Sequence, residues 1–234
     1  MQGGFRHGKG TMIWKDKAKF EGFWLFGYAC GEGTFYHVDG DVYSGKWYNN
    51  KCNGFGIYKN KNLACYKGNW KNDMQHGSGE ETWPEGSKYE GNYINGAKHG
   101  IGTYTWQDNS VYNGEWSNNK INGIGHYKWH DGREYIGSWK NNDMHGNGIY
   151  KYADGVIYEG EYEDDKKTGY GIYKWTDGRI YEGYWHLGKQ HGLGVFIDPK
   201  KKKKKFGLWE FGVRIKWFEE NDLVLIKNDT FDYA

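Results

Sequence analysis

Aliphatic side chains, proline and long apolar runs are all scarce in this chain of 234 residues, and each shortage closes off a class of answer. Leu, Ile, Val and Phe together fall below the level of roughly 20% under which an ordinary globular core is hard to build. No stretch approaches the ~18 apolar residues of a membrane-spanning helix, and the N-terminus carries no basic and apolar leader pattern. Three cysteines, Cys30, Cys52 and Cys65, leave an odd thiol and no zinc-ligand spacing, the usage of a reducing compartment. Two prolines against 38 glycines disfavour helices and favour strands and turns. The expectation is a soluble, cytoplasmic protein.

What the chain has instead is rings. Trp, Tyr and Phe make up 19% of it, and each buries on the order of 150–250 Å², so a core without aliphatics is feasible. The net charge of +2 hides an uneven distribution. Lys200 to Lys205 form one basic run, and the rest of the chain is mildly acidic.

An internal repeat decides the fold class. Aromatic residues stand at Phe20, Tyr43, Tyr66, Tyr89, Tyr112, Tyr135, Tyr158 and Tyr181, at one constant interval. A glycine follows two positions after each, from Gly22 and Gly45 to Gly183, and a second ring two further on. That second column is Trp24, Trp47, Trp70, Tyr93, Trp116, Trp139, Tyr162 and Trp185. A Gly-x-Gly comes next, as in Gly100 and Gly102, then rings such as Tyr104 with Trp106, and often an Asp-Gly pair such as Asp131-Gly132. Both halves alternate with period two, the mark of a strand with one distinct face. Asp-Gly signals a tight turn, because glycine tolerates positive φ and Asp can bond its own backbone. Each unit is therefore read as two short antiparallel strands in a continuing sheet, with rings laid over glycines that lack a Cβ. At about 4.8 Å per strand, eight units with their ends predict a rod on the order of 80–90 Å with nearest-neighbour contacts.

The pattern Tyr-Glu-Gly-x-Tyr/Trp…His-Gly-x-Gly-x-Tyr-x-Trp-x-Asp-Gly, clearest from Tyr89, Tyr135 and Tyr181, resembles the MORN family (membrane occupation and recognition nexus). The resemblance covers roughly residues 1–217 and implies an all-β, elongated, single-layer antiparallel solenoid of tandem hairpins with a groove. The expected organisation is a partial repeat at 1–19, then eight repeats over 20–204, starting at 20, 43, 66, 89, 112, 135, 158 and 181. A degenerate half-repeat at 205–217 and a C-terminal cap or tail at 218–234 follow. The tail carries Leu223, Val224, Leu225 and Ile226 among acidic residues, which suits a cap over the last hairpin or a homodimer contact.

No residue pattern points to catalysis, and the expectation is a non-enzymatic protein with no cofactor, no metal and no nucleic-acid partner. Histidines recur at one column (His7, His76, His99, His145, His191), but roughly 9.6 Å between repeats is too far for two of them to share a zinc. The Gly-x-Gly pairs lack the helix that a nucleotide site needs, and the Asp-Gly pairs lack further calcium ligands. No Ser, Cys or Lys stands beside a recurring base in a nucleophile motif.

Two features can bind. The first is the ring face, with Trp47, Trp70, Tyr93, Trp116, Trp139, Tyr162 and Trp185 as a groove for a peptide or helix of a protein partner. The second is Lys200, Lys201, Lys202, Lys203, Lys204 and Lys205, a patch for anionic lipid or an acidic partner, against which stands a solvated loop. The family resemblance implies an adaptor that docks partner segments, with links to phospholipid and to membrane–cytoskeleton contacts. The leading expectation is a cytoplasmic scaffold at a membrane–cytoskeleton, cell-cortex or ciliary (axonemal) structure. The alternatives are an anionic-phospholipid-binding module and the regulatory repeat region of a larger enzyme.

Overall fold

The computed structural model describes residues 3–219. Every regular element in them is a β-strand, and the chain divides into two compact units at Lys120/Ile121. The first unit holds β1 (Gly8–Ile13), β2 (Lys19–Leu25), β3 (Tyr28–Tyr36), β4 (Val42–Tyr48), β5 (Lys51–Lys59), β6 (Cys65–Lys71), β7 (Met74–Thr82), β8 (Lys88–Ile94), β9 (Ala97–Thr105) and β10 (Val111–Ser117). Consecutive strands within the unit pair antiparallel. The second unit repeats the scheme with β11 (Lys120–Lys128), β12 (Glu134–Lys140), β13 (Asp143–Lys151), β14 (Ile157–Glu163), β15 (Lys166–Lys174), β16 (Ile180–His186), β17 (Lys189–Asp198), β18 (Lys203–Glu210) and β19 (Val213–Trp217). The expected cap residues Leu223, Val224, Leu225 and Ile226 lie outside the described residues.

The period-two pattern does what the spacing predicts. In β4 and β5, Tyr43 faces Tyr58 and Gly45 faces Gly56 on one side of the sheet. The first-column rings are the most buried large side chains, with Tyr89, Tyr112, Tyr135, Tyr158 and Tyr181 fully covered. Tyr89, Tyr135, Tyr158 and Tyr181 each lie over two facing glycines. A Cβ built on Gly68 would likewise stand 2.5 Å from both Tyr66 Oη and Gly79 Cα.

The two glycines of Gly-x-Gly serve different purposes. The second lies under a ring. The first, such as Gly54 at φ 88° or Gly146 at φ 72°, sits in a left-handed conformation beside a break in register. That break is a β-bulge, where one strand carries extra residues and the backbone twists more sharply. It recurs opposite Gly45/Trp47, Gly68/Trp70, Gly91/Tyr93, Gly137/Trp139 and Gly183/Trp185. Across the β4–β5 bulge, Lys46 is skipped by the register, and its carbonyl accepts a hydrogen bond from Tyr43 Oη at 3.0 Å. The same bond runs from Tyr66, Tyr89, Tyr112, Tyr135, Tyr158 and Tyr181, each to the third residue on. A buried hydroxyl and a displaced carbonyl thus satisfy each other.

The Asp-Gly pairs close longer loops than a two-residue hairpin turn. In Trp129 to Arg133, Gly132 N–H donates to Trp129 O at 3.1 Å and Asp131 Oδ1 accepts from Arg133 N–H. The tight turns lie elsewhere, at pairs such as Asn49-Asn50, Asn118-Asn119 and Asn141-Asn142, with both residues at positive φ. Two positive φ values mark the turn whose twist matches paired strands, and Asn tolerates them best after glycine. These turns also join neighbouring repeats. Asn50 N–H donates to Ala29 O at 3.1 Å while Asn50 Oδ1 accepts from Ala29 N–H at 2.7 Å. Asp73 clasps Cys52, Asn119 clasps Lys98, Asn142 clasps Ile121 and Asp165 clasps Met144 in the same way.

A ring-lined cleft and two caged lysines

The second-column rings make edge-on contacts along the sheet. Tyr43 meets Trp47 at 5.2 Å and Trp70 at 5.2 Å, both near perpendicular. Tyr158 meets Tyr162 at 5.3 Å and Trp185 at 5.1 Å. Such pairs contribute about 0.5–1.5 kcal/mol each beyond area burial. The indole N–H of each column-two tryptophan is committed as well, donating to a backbone carbonyl of the preceding repeat. Trp47 reaches Gly33 O at 3.0 Å, Trp116 reaches Gly102 O at 3.1 Å and Trp185 reaches Gly171 O at 3.2 Å.

Of the residues singled out as a groove, Tyr93, Trp116, Trp139, Tyr162 and Trp185 are buried within the sheet's own packing. Trp47 and Trp70 remain half-buried, and they line a cleft of about 690 Å³ in the first unit. Phe20, Trp24, Tyr43, Trp14, Phe35 and Tyr58 also line it, and Arg6 and Asp73 bring opposite charges to it.

The cleft has a cause in one column. Across the tight turn each column-two ring faces the residue five positions on: Trp24 faces Ala29, Trp47 faces Cys52, Tyr93 faces Lys98, Trp139 faces Met144 and Tyr162 faces Lys167. Where that residue is Ala29 or Cys52, space is left beside the rings. Elsewhere the facing residue is longer, as at Lys98, Met144 and Lys167. The fourth ring column is also weak here, with His37 and Asn60 where later repeats carry Trp83, Trp106, Trp129 and Trp175.

The polar groups at the cleft are largely engaged. Tyr58 Oη donates to the Asp41 carboxylate, and burial with that contact pushes the phenol up to about 12. The same hydrogen bond, with Lys61 N–H, holds Asp41 below its ordinary value. Burial takes the Cys52 thiol up to about 12, so it is protonated and a poor nucleophile at neutral pH. Arg6 stacks on Trp24 at 4.1 Å.

Lys98 and Lys167 occupy cages of rings. Lys98 Nζ lies 4.9 Å from the centroid of Trp83, 5.1 Å from Tyr89 and 5.5 Å from Tyr104, and 3.7 Å from a Glu81 carboxylate oxygen. Lys167 Nζ lies 5.0 to 5.3 Å from Tyr152, Tyr158, Tyr173 and Trp185. Burial draws the Lys167 amine down to about 8, and it lowers Lys98 too, against the pull of Glu81. The sign of the resulting pH dependence is fixed. An unfolded lysine titrates near 10.4, so between about pH 8 and 10 the unfolded chain holds a proton that folded Lys167 has released. Stability therefore rises with pH across that window. Buried tyrosines such as Tyr158 and Tyr181, raised above their ordinary value, oppose this increasingly as unfolded phenols begin to ionise from about pH 9, an effect that Lys167→Met shares and that cancels in the comparison. We expect the urea midpoint of the wild type to climb from about pH 7.5 to 9.5 relative to Lys167→Met. Parallel curves would show that Lys167 keeps its proton.

Lys200, Lys201 and Lys202 lie in the β17–β18 loop, where Lys201 pairs with Asp198 at 3.5 Å. Lys203, Lys204 and Lys205 lie in β18, with Lys204 over Phe206 and Lys205 over Trp217. Strand alternation places Lys204 on the opposite face from Lys203 and Lys205. Among the described residues no group of three or more His, Cys, Asp or Glu is placed to hold a metal ion.

Comparison with known proteins bears on the repeat. The sequence profile of the MORN repeat matches nine consecutive segments: 1–19, 20–42, 43–62, 66–88, 89–111, 112–132, 135–157, 158–178 and 181–202. No curated protein sequence matches the chain. Among solved structures it is similar to the TCP10 domain of Danio rerio CPAP, at 11% identity and a TM-score of 0.47, over 90% of this chain and 99% of that one. It is also similar to the Drosophila melanogaster SAS-4 (dCPAP) TCP domain, solved with a proline-rich motif of Ana2 (dSTIL). That match has 11% identity and a TM-score of 0.42, over 67% of this chain and 85% of that one. With nine consecutive profile matches laid on tandem antiparallel hairpins, the chain belongs to the MORN-repeat family.

Proposed function

We propose that this chain is a non-enzymatic scaffold that binds a segment of a partner protein on the ring face of its N-terminal repeats. The observation that carries this reading is the cleft beside Trp47 and Trp70. It is the place where the ring face is left uncovered by its own small neighbours, Ala29 and Cys52. A concave, mostly apolar site with a few polar groups at its edge is the usual form of a binding pocket, and Trp and Tyr are the usual anchors. The remaining groove rings of the sequence reading, Tyr93, Trp116, Trp139, Tyr162 and Trp185, are buried in the packing of their own units. Placement at a membrane–cytoskeleton or ciliary structure carries over from the family resemblance, and imaging of the tagged protein in ciliated cells tests it.

The same column supplies a test that spares the fold. Ala29→Met with Cys52→Ile introduces residues that the column already holds at Met144 and Ile121. The pair is expected to keep or raise the unfolding midpoint while weakening partner capture about tenfold or more, the equivalent of ~1.4 kcal/mol. Capture from native cells by wild type and filled variant, quantified side by side, gives the answer. Equal recovery of every partner would remove the cleft from the account.

A further inference from the structure

The two caged lysines stand three repeats apart, and three of the four rings around Lys167 have ring counterparts around Lys98, with one exception in charge nearby. Trp83, Tyr89 and Tyr104 around Lys98 correspond to Tyr152, Tyr158 and Tyr173 around Lys167, and Tyr93 corresponds to Tyr162. The exception is Glu81, whose place in the later cage is taken by Tyr150.

That one difference leaves the second cage incomplete. In the first, a single carboxylate oxygen of Glu81 accepts the Tyr93 hydroxyl at 3.0 Å and faces Lys98 Nζ at 3.7 Å. In the second, the Tyr162 hydroxyl has no hydrogen-bond partner among the described residues, although the residue is only 4% exposed. Lys167 Nζ meets ring faces alone. Tyr150 Oη accepts instead from Arg133 Nη1 at 3.3 Å. A buried donor without an acceptor is rare in folded proteins and calls for an explanation.

We propose that the Lys167–Tyr162 cage is a receptor for a carboxylate, the Asp or Glu side chain of a partner protein segment, which takes the role that Glu81 plays for Lys98 and Tyr93. Charge selects this occupant. One ammonium and one hydroxyl together suit a single carboxylate, as they do at Glu81. A phosphate dianion would bring excess negative charge against the negative faces of four rings. Lys167 is partly exposed, whereas Tyr162 is buried. The site lies within the second unit and does not depend on the cleft of the first; it shares with the proposed function only the reading that the ring face takes protein.

The test uses the full chain with isotope-labelled lysine side chains, followed by NMR. The Lys167 signal is assigned by its loss in Lys167→Met. N-acetyl-glutamate amide is the probe, and sodium chloride at equal ionic strength is the control. Saturating probe is expected to raise the proton affinity of the Lys167 amine about tenfold or more and to leave Lys98 unmoved. Tyr162→Phe, which removes only the unpartnered hydroxyl, should fold normally and bind the probe about fivefold more weakly. Tyr150→Glu supplies the carboxylate internally and should make Lys167 indifferent to the probe. A Lys167 titration that ignores the probe overturns the proposal, and so does one that shifts equally with chloride or equally at Lys98. Loss of partner capture in the filled-cleft variant leaves these readings untouched, so the two ideas fail separately.

Discussion

Alanine at Gly194 is expected to destabilise the protein by about 3 kcal/mol, while alanine at Gly192 is expected to lose only about 1 kcal/mol. The two glycines belong to one Gly-x-Gly, yet different forces select them. A Cβ on Gly194 would stand 2.6 to 2.8 Å from Oη, Cε2 and Cζ of Tyr181, a fully buried ring that donates to Tyr184 O at 3.1 Å. The ring has nowhere to go, because Trp185 and Trp209 pack edge-on against it at 5.4 and 4.9 Å. A Cβ on Gly192 would meet nothing closer than Tyr184 Cβ at 3.6 Å, and the loss there is the strain of a non-glycine residue at φ 77°. Urea unfolding followed by tryptophan fluorescence reads the totals. Hydrogen exchange should localise the Gly194→Ala loss to β15 through β18. Equal losses at the two sites would refute rings laid over glycines as the source of the core.

Trp185→Ala is expected to be larger still, about 3–5 kcal/mol, the range for truncating a buried tryptophan. The indole touches Tyr158, Tyr173 and Tyr181, shares its face with Lys167, and donates to Gly171 O. Its removal therefore opens a hole between two repeats and orphans a carbonyl. The variant should show lower protection from exchange in β14 to β17 before any effect on binding is meaningful. An unfolding midpoint within about 1 kcal/mol of wild type would mean that the column-two rings are a presented surface and not core. This is why the cleft is better interrogated by filling it at Ala29 and Cys52 than by deleting tryptophans.

The sequence made the period, the two ring columns and the glycine parity legible, because strand alternation ties each residue's face to its number. Tyr43, Gly45 and Trp47 share a side whatever the details of the loops. The tight turn was not legible. Asp-Gly drew the eye, while Asn49-Asn50 and its equivalents do the turning, and without that turn the pairing of Trp47 with Cys52 could not be drawn. The cleft was hidden for this reason, although its signal stands in the sequence as Ala29 and Cys52 set against Lys98, Ile121, Met144 and Lys167. The caged lysines left a signal too. The two column-two positions that are tyrosine, Tyr93 and Tyr162, are the two followed by lysine five residues later. The smaller ring adds a hydroxyl and leaves room for the amine. The bulge was invisible, because a left-handed glycine and a ring-covered glycine look alike in one-letter code.

Pairing of each strand only with its neighbours in sequence has a consequence for how the chain is made. Within each unit no strand waits for a partner from a distant part of the polypeptide, so closing each hairpin costs little loop entropy. Topologies dominated by such local contacts fold quickly. A hairpin such as β4–β5 can close as it leaves the ribosome, dock its Asn50 on the Ala29 already in place, and present the edge on which the next one forms. Synthesis and folding then proceed in the same direction and at the same pace, one repeat behind the growing end.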